Sequence, residues 1–223
     1  MPRPPRVDVG DQLYHVINRA NGRARIFYKD EDYRHFESLL RHAAEQFSMR
    51  ILAYVLMPNH WHLVLYPRQD GDLSKFMQWL TLTHTQQYHV RTRTIGYGHI
   101  YQGRYKSFII EKDSYLLAVI KYVERNSVRA RLAKTVEQWR WGSGYRRLKG
   151  TPKEQKLLAK APVDFPNNYR IWVNQPDRMA DVSSLRNSVN KNVPFGSLGW
   201  TSRTVKQFGL EATLRNPGRP KST

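Results

Sequence analysis

The stretch RILAYVLMPNHWHLVLYP, Arg50 to Pro67, reads as two strands joined by a tight turn. RILAYVLM (Arg50–Met57) is an unbroken run of strand formers, Pro58-Asn59 is a turn signal, and a second strand follows at once. Strand side chains alternate between two faces, so His60 and His62 point one way while Trp61, Leu63 and Leu65 point the other way, into a core. Two imidazoles on one strand face can coordinate a divalent metal. They can equally be a hydrogen-bonded pair near a sheet edge, and the motif alone leaves both open.

Outward from this hairpin the periodicities are regular. QLYHVINR (Gln12–Arg19) reads as a strand, and NGRAR as the turn after it. Asp30 offers an N-cap to a helix whose apolar residues Phe36, Leu39, Leu40, Ala43 and Phe47 share one face. Beyond the hairpin, Asp72 offers a cap to a second helix through Leu73, Phe76, Met77 and Leu80. GRYKSFII (Gly103–Ile110) is a further strand. EKDSYLLAVIKYVERNSV forms a third helix, with Leu116, Val119, Ile120 and Val123 at core spacing. The first six elements follow the β-α-β-β-α-β plan of a ferredoxin-like sandwich, an α+β fold, and the third helix is free to lie across the sheet.

Past Arg147 the pattern weakens. The expected division is a folded domain over 1–149, a polar and largely irregular extension over 150–195, and a basic end over 196–223. In that last part GWTSRTVKQFGL forms a short helix closed by Gly209 at its C′ position. PGRPK, Pro217 to Lys221, resembles the core of an AT-hook, in which Arg219 would enter a narrow minor groove.

The totals narrow the function. There are 37 Lys and Arg against 18 Asp and Glu, a net charge of +19, which calls for a polyanionic partner. With 13 tyrosines and 6 tryptophans among those charges, nucleic acid is favoured over a membrane surface. A hydrophobic content of 40% is enough for a folded core despite a mean hydropathy of −0.68. The absence of cysteine excludes disulfides, thiolate catalysis and Cys-based zinc sites. No apolar run is long enough to span a bilayer, and MPRPPRVDVG lacks the apolar core of a signal peptide, so the cytoplasm of a cell whose DNA is accessible there is the expected location.

On the third helix Tyr122 and Asn126 are four residues apart and therefore adjacent on one face. A tyrosine hydroxyl can attack a phosphodiester that a metal holds and polarises. Asn126 could then complete a ligand set with His60 and His62, a donor set compatible with Mg²⁺ or Mn²⁺. Spacing alone also allows Tyr122 to be an ordinary amphipathic-edge residue. Tyr115, two turns earlier on the same face, is the rival nucleophile.

MPNHWHLVLYP, YQGRYKSFIIEKDSYLLAVIKYVERNSVRARL and WGSGYRR together resemble the IS200-like single-tyrosine transposases, most closely their REP-associated branch. The resemblance runs approximately from Gln12 to Arg147. It implies that His60 and His62 are two metal ligands of a His-hydrophobic-His motif. In YVERNSVRA it implies that Tyr122 is the nucleophile and Asn126 the third ligand. It also implies cleavage of single-stranded DNA beside imperfect hairpins, a 5′-phosphotyrosine intermediate, and a monomer or homodimer. Ser127 departs from the family pattern, which has proline there.

Arg19, Arg23, Arg25, Arg104, Lys106, Arg125 and Arg129, with Arg219 in the tail, are candidate DNA contacts. Two other readings use the same residues. One is a module that binds hairpins without chemistry. The other is a zinc hydrolase recruiting His15, His84 or His99 as a third ligand.

Overall fold

The computed structural model describes residues 6–215. Arg219 and the PGRPK segment lie outside the described residues.

Strand β1 (Leu13–Arg19) leads into helix α1 (Asp30–Gln46), then β2 (Arg50–Met57), β3 (His60–Tyr66), α2 (Asp72–Thr92), β4 (Lys106–Ile110) and α3 (Ser114–Glu124). The strands form one antiparallel sheet in the order β2-β3-β1-β4, as the ferredoxin-like plan requires. Side-chain parity sends Tyr14, Val16, Trp61, Leu63 and Leu65 to one face, where Phe36 and Leu40 of α1 and Phe76 and Leu80 of α2 close over them. Val55, Val64 and Phe108 point to the other face, against Leu116, Val119, Ile120 and Val123 of α3. A strand covered on both faces must be apolar throughout, which is why β2, although at the edge of the sheet, reads as a continuous hydrophobic run. The two central strands depart from this on the α3 side, where β3 carries His60 and His62 and β1 carries His15.

The caps differ in detail from the sequence reading. Asp30 is the first helical residue of α1, and the Asp32 carboxylate accepts from the Tyr28 and Lys29 N–H groups at 2.9 and 3.1 Å. Asp72 likewise lies inside α2. Asp8, reaching in from the leader, accepts from Leu73 and Ser74 at 3.1 and 2.9 Å.

Helix α3 ends at Arg125 and a four-residue turn, α4 (Asn126–Arg129), follows. The break occurs although Ser127 replaces the proline of the family pattern. Side chains satisfy the carbonyls freed there: Asn126 Nδ2 donates to Tyr122 O at 3.2 Å and to Val123 O at 3.3 Å, and Arg129 also donates to Tyr122 O. Ser127 Oγ is sealed and unpartnered.

The segment α5 (Ser143–Lys149), from the motif WGSGYRR, has a structural task. Leu56 N–H donates to Trp141 O at 2.8 Å, Val55 bridges Gly142, and Tyr54 N–H donates to Ser143 Oγ at 3.1 Å. The exposed edge of β2 is thereby paired, which removes a template for association. From the same motif Arg146 reaches Glu37 at 2.8 Å and Arg147 reaches Glu124 at 3.2 Å. Glu124 is sealed from solvent and also accepts from Ser143 Oγ at 2.6 Å and from the Tyr169 hydroxyl. Removing one partner of such a set strands the others. Glu124→Ala is expected to destabilise by about 3 kcal/mol, read as a lower urea midpoint with an unchanged slope.

The extension holds more helix than its polarity suggests: α6 (Pro152–Gln155), α7 (Tyr169–Asn174), α8 (Met179–Lys191), α9 (Leu198–Phe208) and α10 (Glu211–Leu214). Val182, Leu185 and Val189 of α8 make a narrow stripe that packs on the α3 side of the sheet. Phe195 pairs with the edge of β4, with Phe195 N–H donating to Ile109 O at 2.8 Å. Gly209 ends α9 with φ +63°, the left-handed conformation expected of it.

In α2, His84 faces the core opposite α3. Its Nδ1 accepts from the Tyr101 hydroxyl at 2.7 Å, and that hydroxyl accepts from Trp61 Nε1 at 3.0 Å. Burial first, and then the nearby His35 and Arg91, lower the His84 pKa from 6.5 to about 3. The unfolded chain takes up this proton as pH falls below 6.5, and the folded chain does not until about 3. Stability is therefore fully present above pH 6.5 and is lost on acidification at about 1.4 kcal/mol per pH unit. Unfolding measured between pH 7 and pH 4 should show this contribution on top of those of His15, His60 and His62, whose pKa values burial also lowers. His84→Gln, which keeps an acceptor but does not titrate, should run flatter by the same amount.

Candidate active site

His60 and His62 project from β3 toward α3, with ring centroids 5.2 Å apart. His60 sits at the sheet end, where its Nδ1 lies 2.6 Å from Asn59 Oδ1. The Asn59 amide is oriented by its Nδ2, which donates to Arg23 O at 3.1 Å, so Oδ1 is the atom that faces His60. His60 therefore donates from Nδ1 and keeps the Nε2 lone pair. His62 is buried, and its Nδ1 lies 2.8 Å from His15 Nε2 on the neighbouring strand. Burial lowers the pKa of His60 to about 4, with a further contribution from the Arg19 charge. His62 is lowered well below its ordinary value by burial, then by His15, His60, Arg129 and Arg19. All these causes favour the neutral ring, which is the form that ligates metals.

Tyr122 comes from α3 onto the same pair of rings. It is 6% exposed, with its ring edge-on at 6.1 Å from His62 and 6.4 Å from His15. The Arg129 guanidinium stacks 4.1 Å from the Tyr122 ring centroid. Tyr115, the rival, packs its ring against Phe195 at 5.3 Å. Asn126 makes no hydrogen bond to either histidine. Its amide N–H groups go to the helix carbonyls, which leaves Oδ1 as an available acceptor.

The donor set fits a divalent ion: two neutral imidazoles close enough to share one centre at the usual nitrogen–metal distance of about 2.1 Å, with a carboxamide oxygen one helical turn from the tyrosine. Among the described residues no group of three or more His, Asp or Glu is arranged to hold a metal. None of the three histidines offered as a third zinc ligand is arranged with His60 and His62 to complete such a site. His15 spends its Nε2 on His62, His84 belongs to the opposite core, and His99 lies on an exposed loop.

The basic candidates divide. Arg19, Arg104 and Lys106 line one cleft of about 530 Å³ beside β1 and β4, together with Asn18, Tyr105 and Asn192. Arg23 and Arg25 are exposed on the turn after β1, where Ala20 N–H donates to Asn59 O at 2.9 Å, so they sit at the His60 end of the sheet. Arg125 and Arg129, expected at phosphates, turn inward instead. Both pair with Asp177, at 3.1 and 2.8 Å, and Arg125 also donates to the carbonyls of Val173 and Asn174. Their donors are used in fastening the extension to the tyrosine helix.

Two residues at this site escaped the sequence reading. In the sequence Asn59 reads as a turn former and His15 as one of several distant histidines. The parity of QLYHVINR puts His15 on the face of Ile17 and Arg19, but only the β1–β3 pairing brings it to His62.

The IS200-like transposase profile matches residues 8–126. The chain belongs to the IS200-like transposase family. No curated protein matches the transposase. Its fold is similar to a solved REP-associated tyrosine transposase bound to a REP hairpin, with a TM-score of 0.54 and 18% identity over 74% of this chain and 94% of that one. A crystal structure of a proposed transposase from Deinococcus radiodurans R1 is also similar, with a TM-score of 0.40 and 19% identity over 56% of this chain and 97% of that one. Among the described residues, no helix is long and apolar enough to cross a membrane.

Proposed function

We propose that this transposase is a metal-dependent single-stranded DNA endonuclease and strand transferase that works through Tyr122 at hairpin-associated sites. The observation that carries this reading is the Tyr122 ring lying 6.1 Å from His62, on the sheet face that carries His60. His60 and His62, with Asn126 Oδ1, would hold Mg²⁺ or Mn²⁺, which when bound supplies Lewis-acid polarisation of the scissile phosphate. We place this chemistry in residues 1–149.

Tyr122 Oη attacks phosphorus, the bond to the 3′ oxygen breaks, and a 3′ hydroxyl leaves while the 5′ phosphate stays on tyrosine. One phosphodiester replaces another, so rejoining to an incoming 3′ hydroxyl needs no ATP. Burial of the tyrosine ring and its stack with Arg129 restrict the side chain before the strand arrives, lowering the entropic cost of in-line attack. Arg19, Arg104 and Lys106 supply phosphate-holding charge in the cleft beside β1 and β4, and Arg23 and Arg25 add charge at the His60 end of the sheet. With this many cations, log K for binding should fall steeply with log salt. A hairpin-acting protein of this charge belongs with the bacterial nucleoid, as a monomer or a homodimer.

Labelled hairpins with single-stranded flanks, incubated with protein and Mn²⁺ and resolved on a denaturing gel, test the proposal. A shifted, protease-sensitive band is expected. A hairpin that binds yet never forms this band would instead point to a binding module without chemistry.

A further inference from the structure

For His62 to ligate a metal, as the function proposed above requires, one of its ring nitrogens must keep a lone pair, and this singles out His15. The contact between His15 Nε2 and His62 Nδ1, at 2.8 Å, holds one proton when both rings are neutral. Suppose His15 donates. The proton of His62 then sits on Nε2, and the ring has nothing left for a metal. Suppose instead that His62 donates from Nδ1. Its Nε2 is then free, and His15 carries its own proton at Nδ1, which is sealed and has no acceptor.

The second arrangement has an awkward buried N–H, yet it explains why an imidazole stands there at all. The neighbours of His15 on this face of β1, Leu13 and Ile17, are apolar. Phe108 packs on the His15 ring at 4.9 Å and Tyr122 at 6.4 Å. An apolar residue would fill this place without stranding a ring nitrogen, so packing alone does not call for a histidine. The other ligand shows the same device: Asn59 Oδ1 accepts from His60 Nδ1 and leaves Nε2. We propose that His15 is a positioning residue of the metal site, accepting the Nδ1–H of His62 so that His62 and His60 present the same atom, Nε2, to one ion. It touches neither DNA nor metal.

Two measurements on the full chain test this. Long-range ¹H–¹⁵N spectra of histidine-labelled protein with saturating Mg²⁺ report the tautomer directly, and His62 should be protonated at Nδ1. Calorimetric titration with Mn²⁺ in the absence of DNA should show His15→Leu weakened about 10- to 100-fold. His15→Gln, whose Oε1 can accept from His62, should stay within about threefold of wild type. A purely structural His15 would leave the tautomer and this rescue pattern unmoved. An Nε2-protonated His62 in the Mg²⁺-loaded protein overturns the inference, as does a folded His15→Leu that binds Mn²⁺ like wild type. Wild-type protein that binds no Mn²⁺ sinks the metal reading itself and the inference with it. If His15→Leu does not fold, His15→Gln decides: Mn²⁺ affinity within about threefold of wild type supports the inference, and a larger loss overturns it.

Discussion

Tyr122→Phe should bind hairpin DNA within about twofold of wild type and form no covalent adduct, with strand cleavage down by about 10³-fold or more. Phenylalanine keeps the ring edge against His62 and His15 and keeps a face for Arg129, so the fold should be little disturbed. Only the attacking oxygen is lost. Tyr115→Phe serves as the control, because that ring is engaged with Phe195 away from the histidines. An adduct that survives Tyr122→Phe and disappears in Tyr115→Phe would move the nucleophile two turns up the helix.

Replacing both His60 and His62 with alanine should abolish adduct formation while retaining hairpin binding, since neither side chain lines the basic cleft beside β1 and β4. Metal affinity should fall by more than about 100-fold, measured as the loss of the Mn²⁺ binding heat. The single variants should differ in stability. His62 is buried and bonded to His15, so its removal leaves a second ring nitrogen without a partner. His60 sits at the turn and its loss strands only the Asn59 carboxamide, which solvent can reach. Cleavage by the double variant at wild-type rates would rule out both histidines as ligands.

What could be read from the sequence follows from how local each signal is. The alternation in His60–Tyr66 and the four-residue spacing of Tyr122 and Asn126 are written within single elements, and so is the order of strands and helices. The contact of His15 with His62 depends on strand pairing across 47 residues, which composition does not encode. Arg125 and Arg129 look like free cations until Asp177, 52 and 48 residues on, comes back to pair with both. Helix α8 was invisible for a different reason. Its buried stripe is only Val182, Leu185 and Val189 in 13 residues, too thin to stand out against so many polar neighbours. Asp8 shows the same limit at small scale, since it caps a helix 64 residues downstream, beginning at Asp72.

The tyrosine and the two histidines sit on one sheet face and the helix that covers it, within a single polypeptide. On the proposed mechanism every protomer is then self-sufficient. Specific activity should be indifferent to dilution, and two differently crippled chains should not rescue one another. A tube containing Tyr122→Phe together with the His60/His62 double alanine should stay as silent as either protein alone. In an enzyme that borrowed its nucleophile from a neighbour, the same mixture would regain activity.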